Sequence, residues 1–293
     1  MGRIVVLMGV AALLGVASPH RLLAQASDAG TPSGSAPGSL PPYLRDRDDA
    51  VPTSMFGTYI LPGELMVYPF FEYYRDSDAE YSPVELGHSL DQDFRGDYEA
   101  HEYLLLLAYG LSDRVSVEVE AAYITAELEK APEDPTGLPP ELTESGLGDV
   151  QVQGNWLWQK ETASRPAFFS QAEVVFPFQD EGSLIGTSAW EVIAGVGAIR
   201  GYAVGTFTAR ASIEFDGAES SFGLGEAALE YLKRFSPAFR GYAAVEGTQD
   251  EWELITELQV HPSQRLFVKL NSAFGISSKA AGWAPEVGVV FRF

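Results

Sequence analysis

The chain has 293 residues, 46% of them hydrophobic and 12% aromatic, with 19 Lys and Arg against 41 Asp and Glu for a formal net charge of -22. Charge of this sign repels a polyphosphate backbone, which excludes nucleic acid as a partner. The cysteine count of zero excludes disulfides and thiolate sites, and the length allows one or two domains.

Residues 1–26, MGRIVVLMGVAALLGVASPHRLLAQA, set Arg3 before an apolar run from Ile4 to Ala17 and close on Ala24-Gln25-Ala26. That is the anatomy of a secretory signal peptide. An apolar run of about 14 residues is too short for a spanning helix, which needs roughly 20. Cleavage after Ala26 removes Arg3 and Arg21 and no acid, leaving 17 basic against 41 acidic residues, a net of -24. Residues 27–60 follow, beginning SDAGTPSGSAPGSLPPYLRDRDDAVPTS. Small residues and prolines build no core, so this stretch reads as a flexible periplasmic lead, with threading into a lumen as a plug the alternative.

From residue 61 onward the hydrophobic period is two. In VSVEVEA, Val115, Val117, Val119 and Ala121 share one face and Ser116, Glu118 and Glu120 the other. DVQVQGNWLW alternates in the same way, with Val150, Val152, Trp156 and Trp158 opposite Asp149, Gln151, Gln153 and Asn155. Twelve such segments are predicted, at roughly 64–75, 98–110, 114–128, 147–159, 167–178, 188–199, 203–215, 223–233, 239–247, 251–260, 265–274 and 283–293. At about 10 to 15 residues they exceed ordinary soluble strands and match tilted strands crossing a bilayer. No segment after residue 26 holds 18 consecutive apolar residues, so spanning helices are excluded.

The connections alternate too. Links after even-numbered segments are short, whereas DSDAEYSPVELGHSLDQDFRGD and KAPEDPTGLPPELTES are long and acidic. Short periplasmic turns and longer outer loops characterise a transmembrane barrel with both termini on the periplasmic side. Arg114, Lys160, Arg165, Arg200, Lys233, Arg234, Arg240 and Arg265 all fall at or beside the short turns, where phospholipid head groups could accept them. The final VGVVFRF places Val287, Val289, Phe291 and Phe293 outward and Glu286, Gly288 and Arg292 inward on a strand that must pair with the first. The expected fold is therefore an all-β, closed, antiparallel transmembrane barrel of about 12 strands spanning 61–293.

YGLSDRVSVEVEAAY (Tyr109 to Tyr123), ESGLGDVQVQGNW (Glu144 to Trp156) and AEVVFPF (Ala172 to Phe178) resemble pieces of the bacterial outer-membrane barrel family named after the meta-pathway of phenol degradation. The likeness covers about residues 55 to 293. Ser112 stands where that family commonly has Thr, and Pro177-Phe178-Gln179 where it often has Pro-Thr-Gly. The resemblance implies an outer-membrane transporter of small, often apolar, molecules. A terminal Phe293 after alternating apolar residues likewise resembles the tag by which barrel-insertion machinery recognises its clients. In SGLGD, Gly146 and Gly148 are expected at positive φ or in a bulge where the chain re-enters the sheet.

By parity the lumen is lined by Glu118, Glu120, Asp149, Gln151, Gln153, Asn155, Glu173, Thr208, Arg210, Glu214, Glu226, Glu230, Glu253, Glu257, Lys269, Asn271 and Arg292. An acidic channel favours cations by focusing the potential. Alternatively the charges pair across the lumen, Arg210 with Glu214 and Lys269 with Glu257, and fill it. Met66, Tyr68, Phe70, Tyr74, Phe169, Val175, Ile255 and Phe267 share the inward parity, either as a greasy path or as lumen packing. His101 beside Glu99 and Glu102 is the one candidate catalytic cluster and matches no motif, and the loop acids Asp76, Asp78, Glu80, Asp91 and Asp93 fit no EF-type loop. The sequence thus predicts a channel or porin for passive uptake of small apolar or cationic solutes, with no enzymatic activity, cofactor or metal. Its expected partners are outer-membrane lipids and lipopolysaccharide, the insertion machinery and the solute. A structural or surface-interaction barrel with a closed lumen is the alternative.

Overall fold

The computed structural model describes residues 40–293 apart from 180–182, 188, 219, 250, 278, 279 and 281. The expected signal peptide and residues 27–39 of the lead lie outside the described residues. A 3-10 helix, Pro42–Leu44, is followed by a small hairpin of β1 (Val51–Pro52) and β2 (Tyr59–Ile60). Twelve antiparallel strands then close into a barrel, with each strand bonded to its chain neighbours and the last bonded to the first. They are β3 (Leu65–Tyr81), β4 (Phe94–Gly110), β5 (Val115–Glu129), β6 (Glu141–Gln159), β7 (Ala167–Phe176) and β8 (Glu191–Gly201), then β9 (Thr206–Asp216), β10 (Ser221–Ser236), β11 (Phe239–Thr248), β12 (Glu251–Val260), β13 (Leu266–Gly275) and β14 (Ala284–Arg292).

Closure follows from backbone chemistry, because an open edge would leave unpaired N–H and C=O groups against hydrocarbon. Val287 pairs with Phe71, and the Phe293 N–H donates to the Leu65 carbonyl at 2.9 Å. Alternate side chains then divide between two solvents. On β5, Ser116 and Glu118 are buried inside while Val117 and Val119 are exposed outside, and on β4 Leu105 and Leu107 face out while Leu106 and Ala108 are buried. The outward set forms a continuous belt that also contains Trp156, Val196, Leu229, Val245, Leu258, Leu270 and Val287. A water-soluble surface does not carry such a belt. Aromatic contacts rim it at both ends, with Trp158–Phe168 and Tyr202–Phe207–Tyr231 near the short turns. Phe176–Trp190, Phe215–Phe222 and Tyr73–Trp283 sit near the outer loops. The eight-residue step from Phe168 to Phe176 covers roughly 20 Å along the barrel axis at ~3.3 Å per residue and a tilt of about 40°. That is close to the apolar height of an outer-membrane barrel.

Two expectations about strands change. The acidic stretches after the first and third segments are partly strand, since β3 runs to Tyr81, β4 starts at Phe94 and β6 starts at Glu141. Above the membrane both faces of a strand are wet, so the pairing continues after the alternation has vanished. SGLGD accordingly lies inside β6 rather than opening it. Gly146 and Gly148 keep negative φ, but the register slips between Ala121 and Tyr123 opposite this stretch, so the bulge is present. Gly148 allows it: a Cβ there would sit 2.8 Å from Ile124 Cδ1.

Candidate functional site in the barrel lumen

The described part of the expected flexible lead, 40–60, is folded, and it occupies the periplasmic end of the lumen. Val51 and Ile60 are fully buried and pack with Met66, Tyr68, Leu106, Phe267 and Val290 of the wall. The chain turns between β1 and β2 at Gly57, whose φ is +57° and where a Cβ would lie 3.0 Å from the Tyr242 ring. Burial of this apolar hairpin outweighs the flexibility suggested by its prolines and small residues.

Its charges explain part of the basic rim. Asp48 Oδ2 accepts from Arg234 Nη2 and Arg240 Nη2, both at 3.3 Å, and Asp46 Oδ1 accepts from the Arg234 backbone N–H at 2.9 Å. Lys160 Nζ lies 3.1 Å from Asp49 Oδ2. Lys160, Arg234 and Arg240 therefore serve the plug rather than lipid head groups. Arg47 donates to Glu161 Oε2 at 2.7 Å, with both side chains almost wholly buried. Glu161 also accepts from the Gly201 N–H at 3.0 Å and has Arg200 Nη1 at 3.4 Å. Burial pushes the Tyr59 phenol up to about 12 against the pull of Arg47, so it stays neutral beside that guanidinium, 5.7 Å away.

Further along the segment, Glu118 accepts from the Ser54 N–H at 3.0 Å, from the Ser54 hydroxyl and from Asn155 Nδ2, while Gln153 donates to Asn155 Oδ1 at 2.8 Å. Gln259 Nε2 donates to Glu257 Oε1 at 2.7 Å and reaches the Gly57 carbonyl at 3.4 Å. Lys269 Nζ lies 3.1 Å from Glu257 Oε2 and donates to the Phe56 carbonyl at 3.3 Å, and Asn271 reaches Glu257 at 3.4 Å. Arg292 donates to the Tyr59 carbonyl at 3.0 Å and stands 3.5 Å from Glu64. Six residues expected in the lumen, Glu118, Gln153, Asn155, Glu257, Lys269 and Arg292, thus form the collar that holds or backs the plug.

Outward of the plug lies a cavity of about 660 Å³. Its lining includes Glu120, Gln151, Glu173, Thr208, Arg210, Glu214, Glu226, Glu230 and Glu253 of the expected set, with Tyr68, Phe70, Tyr74 and Phe169 of the apolar one. Among the described residues, eleven glutamates line it against Arg210 and Lys269. Arg210 pairs with Glu226, Glu230 and Glu246, the last two at 2.7 Å, and not with Glu214, whereas the expected Lys269–Glu257 pair is present. Glu72, Glu246 and Glu286 also line the cavity, and sequence parity with Tyr74, Tyr242 and Gly288 marks each as inward. Asp149 stands apart: on the bulge, its carboxylate accepts from the Phe178 N–H at 3.0 Å and the Thr187 N–H at 2.5 Å, tying down the β7–β8 loop. That loop buries Ile185 against Ala100 and Ala126 at the outer mouth.

The catalytic candidate does not assemble. His101 lies 3.4 Å from Glu99 on the outer face and against the Phe71 and Tyr73 rings, while Glu102 alternates to the lumen side beside Glu72. Among the loop acids, Asp78 and Glu80 pair with Arg95, and the described residues contain no group of three or more His, Asp or Glu arranged to hold a metal.

No protein-family model matches the sequence, and no curated protein matches it. Among solved structures the barrel is similar to an outer-membrane channel from Pseudomonas putida F1, at a TM-score of 0.59 and 11% identity over 83% of this chain and 99% of that one. The translocator domain of the autotransporter NalP from Neisseria meningitidis gives 0.44 at 10% identity, covering 78% of this chain and 88% of that one. The Ralstonia pickettii toluene transporter TbuX gives 0.44 at 7% identity, covering 80% and 90%. The Pseudomonas likeness establishes the fold, the closed twelve-stranded antiparallel barrel of outer-membrane channels, and the two weaker ones add nothing to it.

Proposed function

We infer that the chain is a channel of the bacterial outer membrane that passes small solutes through its lumen, with residues 40–60 as an internal stopper at the periplasmic end. The observation that carries this reading is the acidic, partly aromatic cavity of about 660 Å³ that ends on the plug. A barrel used only as a scaffold would fill its lumen with side chains, as small barrels do. The size falls within the range of small-molecule sites. The family resemblance of residues 55 to 293 and the acidic lining support apolar or cationic solutes and no catalytic step.

The alternative, a closed structural or surface-interaction barrel, draws its support from the plug, whose Arg47–Glu161 pair is sealed from water. Single-channel recording in a planar bilayer separates the two. We expect brief, small openings from the full chain and longer or larger ones from the D46N/D48N variant, in which the anchors to Arg234 and Arg240 are weakened. Silence from both, in preparations shown to be folded, would favour the closed scaffold.

A further inference from the structure

We propose that the lumen cavity binds an organic cation, an ammonium group on an apolar body, at the wall where Tyr68, Phe70, Glu72 and Glu286 meet. This names a solute class for the channel proposed above and rests on that reading. Three observations carry it.

The first is an imbalance of charge at one place. Glu72 and Glu286 are direct partners across β3 and β14, and Glu102, Glu120 and Glu253 lie within electrostatic reach of Glu72. None of the five has a basic partner among the described residues. The two bases among the described lining residues are committed elsewhere, Arg210 to three glutamates and Lys269 to Glu257. Carboxylates gathered away from bulk water are relieved either by taking up protons or by a positive charge that comes in, and an ammonium ion supplies the second.

The second is a template for that charge. Lys269 places an ammonium against a carboxylate, a backbone carbonyl and two aromatic faces, 5.2 Å from the Tyr68 ring centre and 5.8 Å from that of Phe56. Tyr68 continues the aromatic surface to Phe70, stacked at 4.4 Å, and its hydroxyl donates to Glu286. Carboxylate plus ring face is thus repeated one step along the wall, without the lysine. An ammonium ion gains from both elements, and an attached apolar body gains from the rings.

The third is an unsatisfied polar group packed beside the cavity lining. Tyr242 is 4% exposed and its hydroxyl has no partner, although the ring is fixed by stacking on Phe56 of the plug at 5.7 Å. Phe56 lines the cavity, and the hydroxyl lies within electrostatic reach of Glu230 and Glu246 of the same lining, so an unmet hydrogen-bonding group adjoins the cavity wall.

The test is calorimetric titration of the purified full chain in detergent with phenethylammonium, its neutral analogue 2-phenylethanol, the anion 3-phenylpropionate, and calcium chloride alone. We expect saturable binding of phenethylammonium, at least tenfold weaker binding of the alcohol and none of the anion. The E72Q/E286Q variant, checked for heat-modifiable migration, should lose at least tenfold in amine affinity and nothing in alcohol affinity. Equal affinity for amine and alcohol would overturn the proposal in favour of a merely apolar cavity. Calcium binding without amine binding would overturn it in favour of an inorganic-ion site, and no binding of any probe would overturn it outright. The wild-type comparison decides the matter even if the variant fails to fold. Titration is independent of conductance, so a silent barrel that binds the amine would sink the channel reading and leave the site standing.

Discussion

Replacing Arg47 with alanine should release residues 40–60 from the barrel without unfolding it. Arg47 Nη2 lies 2.7 Å from Glu161 Oε2, and the two side chains are 2% and 0% exposed. Removing one partner of a buried pair typically costs 3–5 kcal/mol. The lower end, about 3 kcal/mol, applies because Glu161 keeps the Gly201 N–H and Arg200 as partners. Loss of the guanidinium over Tyr59 adds about 0.5 kcal/mol. A total of about 3.5 kcal/mol is a factor of roughly 300 in the ratio of docked to undocked segment. Amide hydrogen exchange on the reconstituted protein reads this ratio at Thr53 and Thr58, whose N–H groups bond to the Thr58 and Met55 carbonyls. Their protection should fall by about two orders of magnitude or more while β4 and β5 amides stay unchanged. R47K, which keeps the charge and loses the fork, should fall in between. Wild-type protection at both threonines in R47A would refute the reasoning.

Val119→Arg puts a cation on the outward face of β5, in the apolar belt opposite Leu107, and should cost about 2–4 kcal/mol of folding stability in lipid vesicles. A cost within about 0.5 kcal/mol, as at a water-exposed site, would contradict the membrane-facing assignment. Glu118→Ala orphans the Ser54 N–H, leaves Asn155 Nδ2 with the Ser116 hydroxyl at 3.4 Å, and should lower Ser54 protection by about 1–3 kcal/mol, whereas Glu118→Gln, still an acceptor, should cost less, as hydrogen exchange would report. Burial, with Arg234 and Arg292 nearby, lowers the His261 pKa to about 4 from an ordinary value of 6.5. The unfolded chain therefore binds the extra proton first, so this contribution to stability is complete above about 6.5 and is lost as pH falls toward 4. His261→Gln should flatten that part of a denaturant-unfolding profile measured against pH, and an unaltered slope would remove His261 from the account.

The membrane-crossing part of the fold was largely legible because lipid enforces strict alternation. The expected 251–260 coincides with β12, and the expected 167–178 overruns β7 by two residues. Legibility failed where one solvent bathes both faces, as in the outer ends of β3 and β4. It failed again for residues 40–60, where composition pointed to a loose tail. The signal there was complementarity at a distance: Asp46, Asp48 and Asp49 match Lys233, Arg234, Arg240 and Lys160, more than a hundred residues away in sequence. Parity placed Glu118, Glu230 and Lys269 in the lumen but could not say which carboxylates Arg210 would take, since Glu226 and Glu230 of β10 and Glu246 of β11 all converge on it.

The partners of residues 40–60 are spread over the circumference, from Glu118 on β5 to Gln259, Lys269 and Arg292 on the last three strands. A stretch that leaves the ribosome ahead of the whole cylinder thus has nowhere to settle until the cylinder is finished. It is a late passenger in biogenesis, outside the nucleus around which the wall assembles. Interactions made after the rate-limiting step act on the rate of coming apart, so losing this stretch should leave the pace of assembly intact and shorten the lifetime of the finished wall.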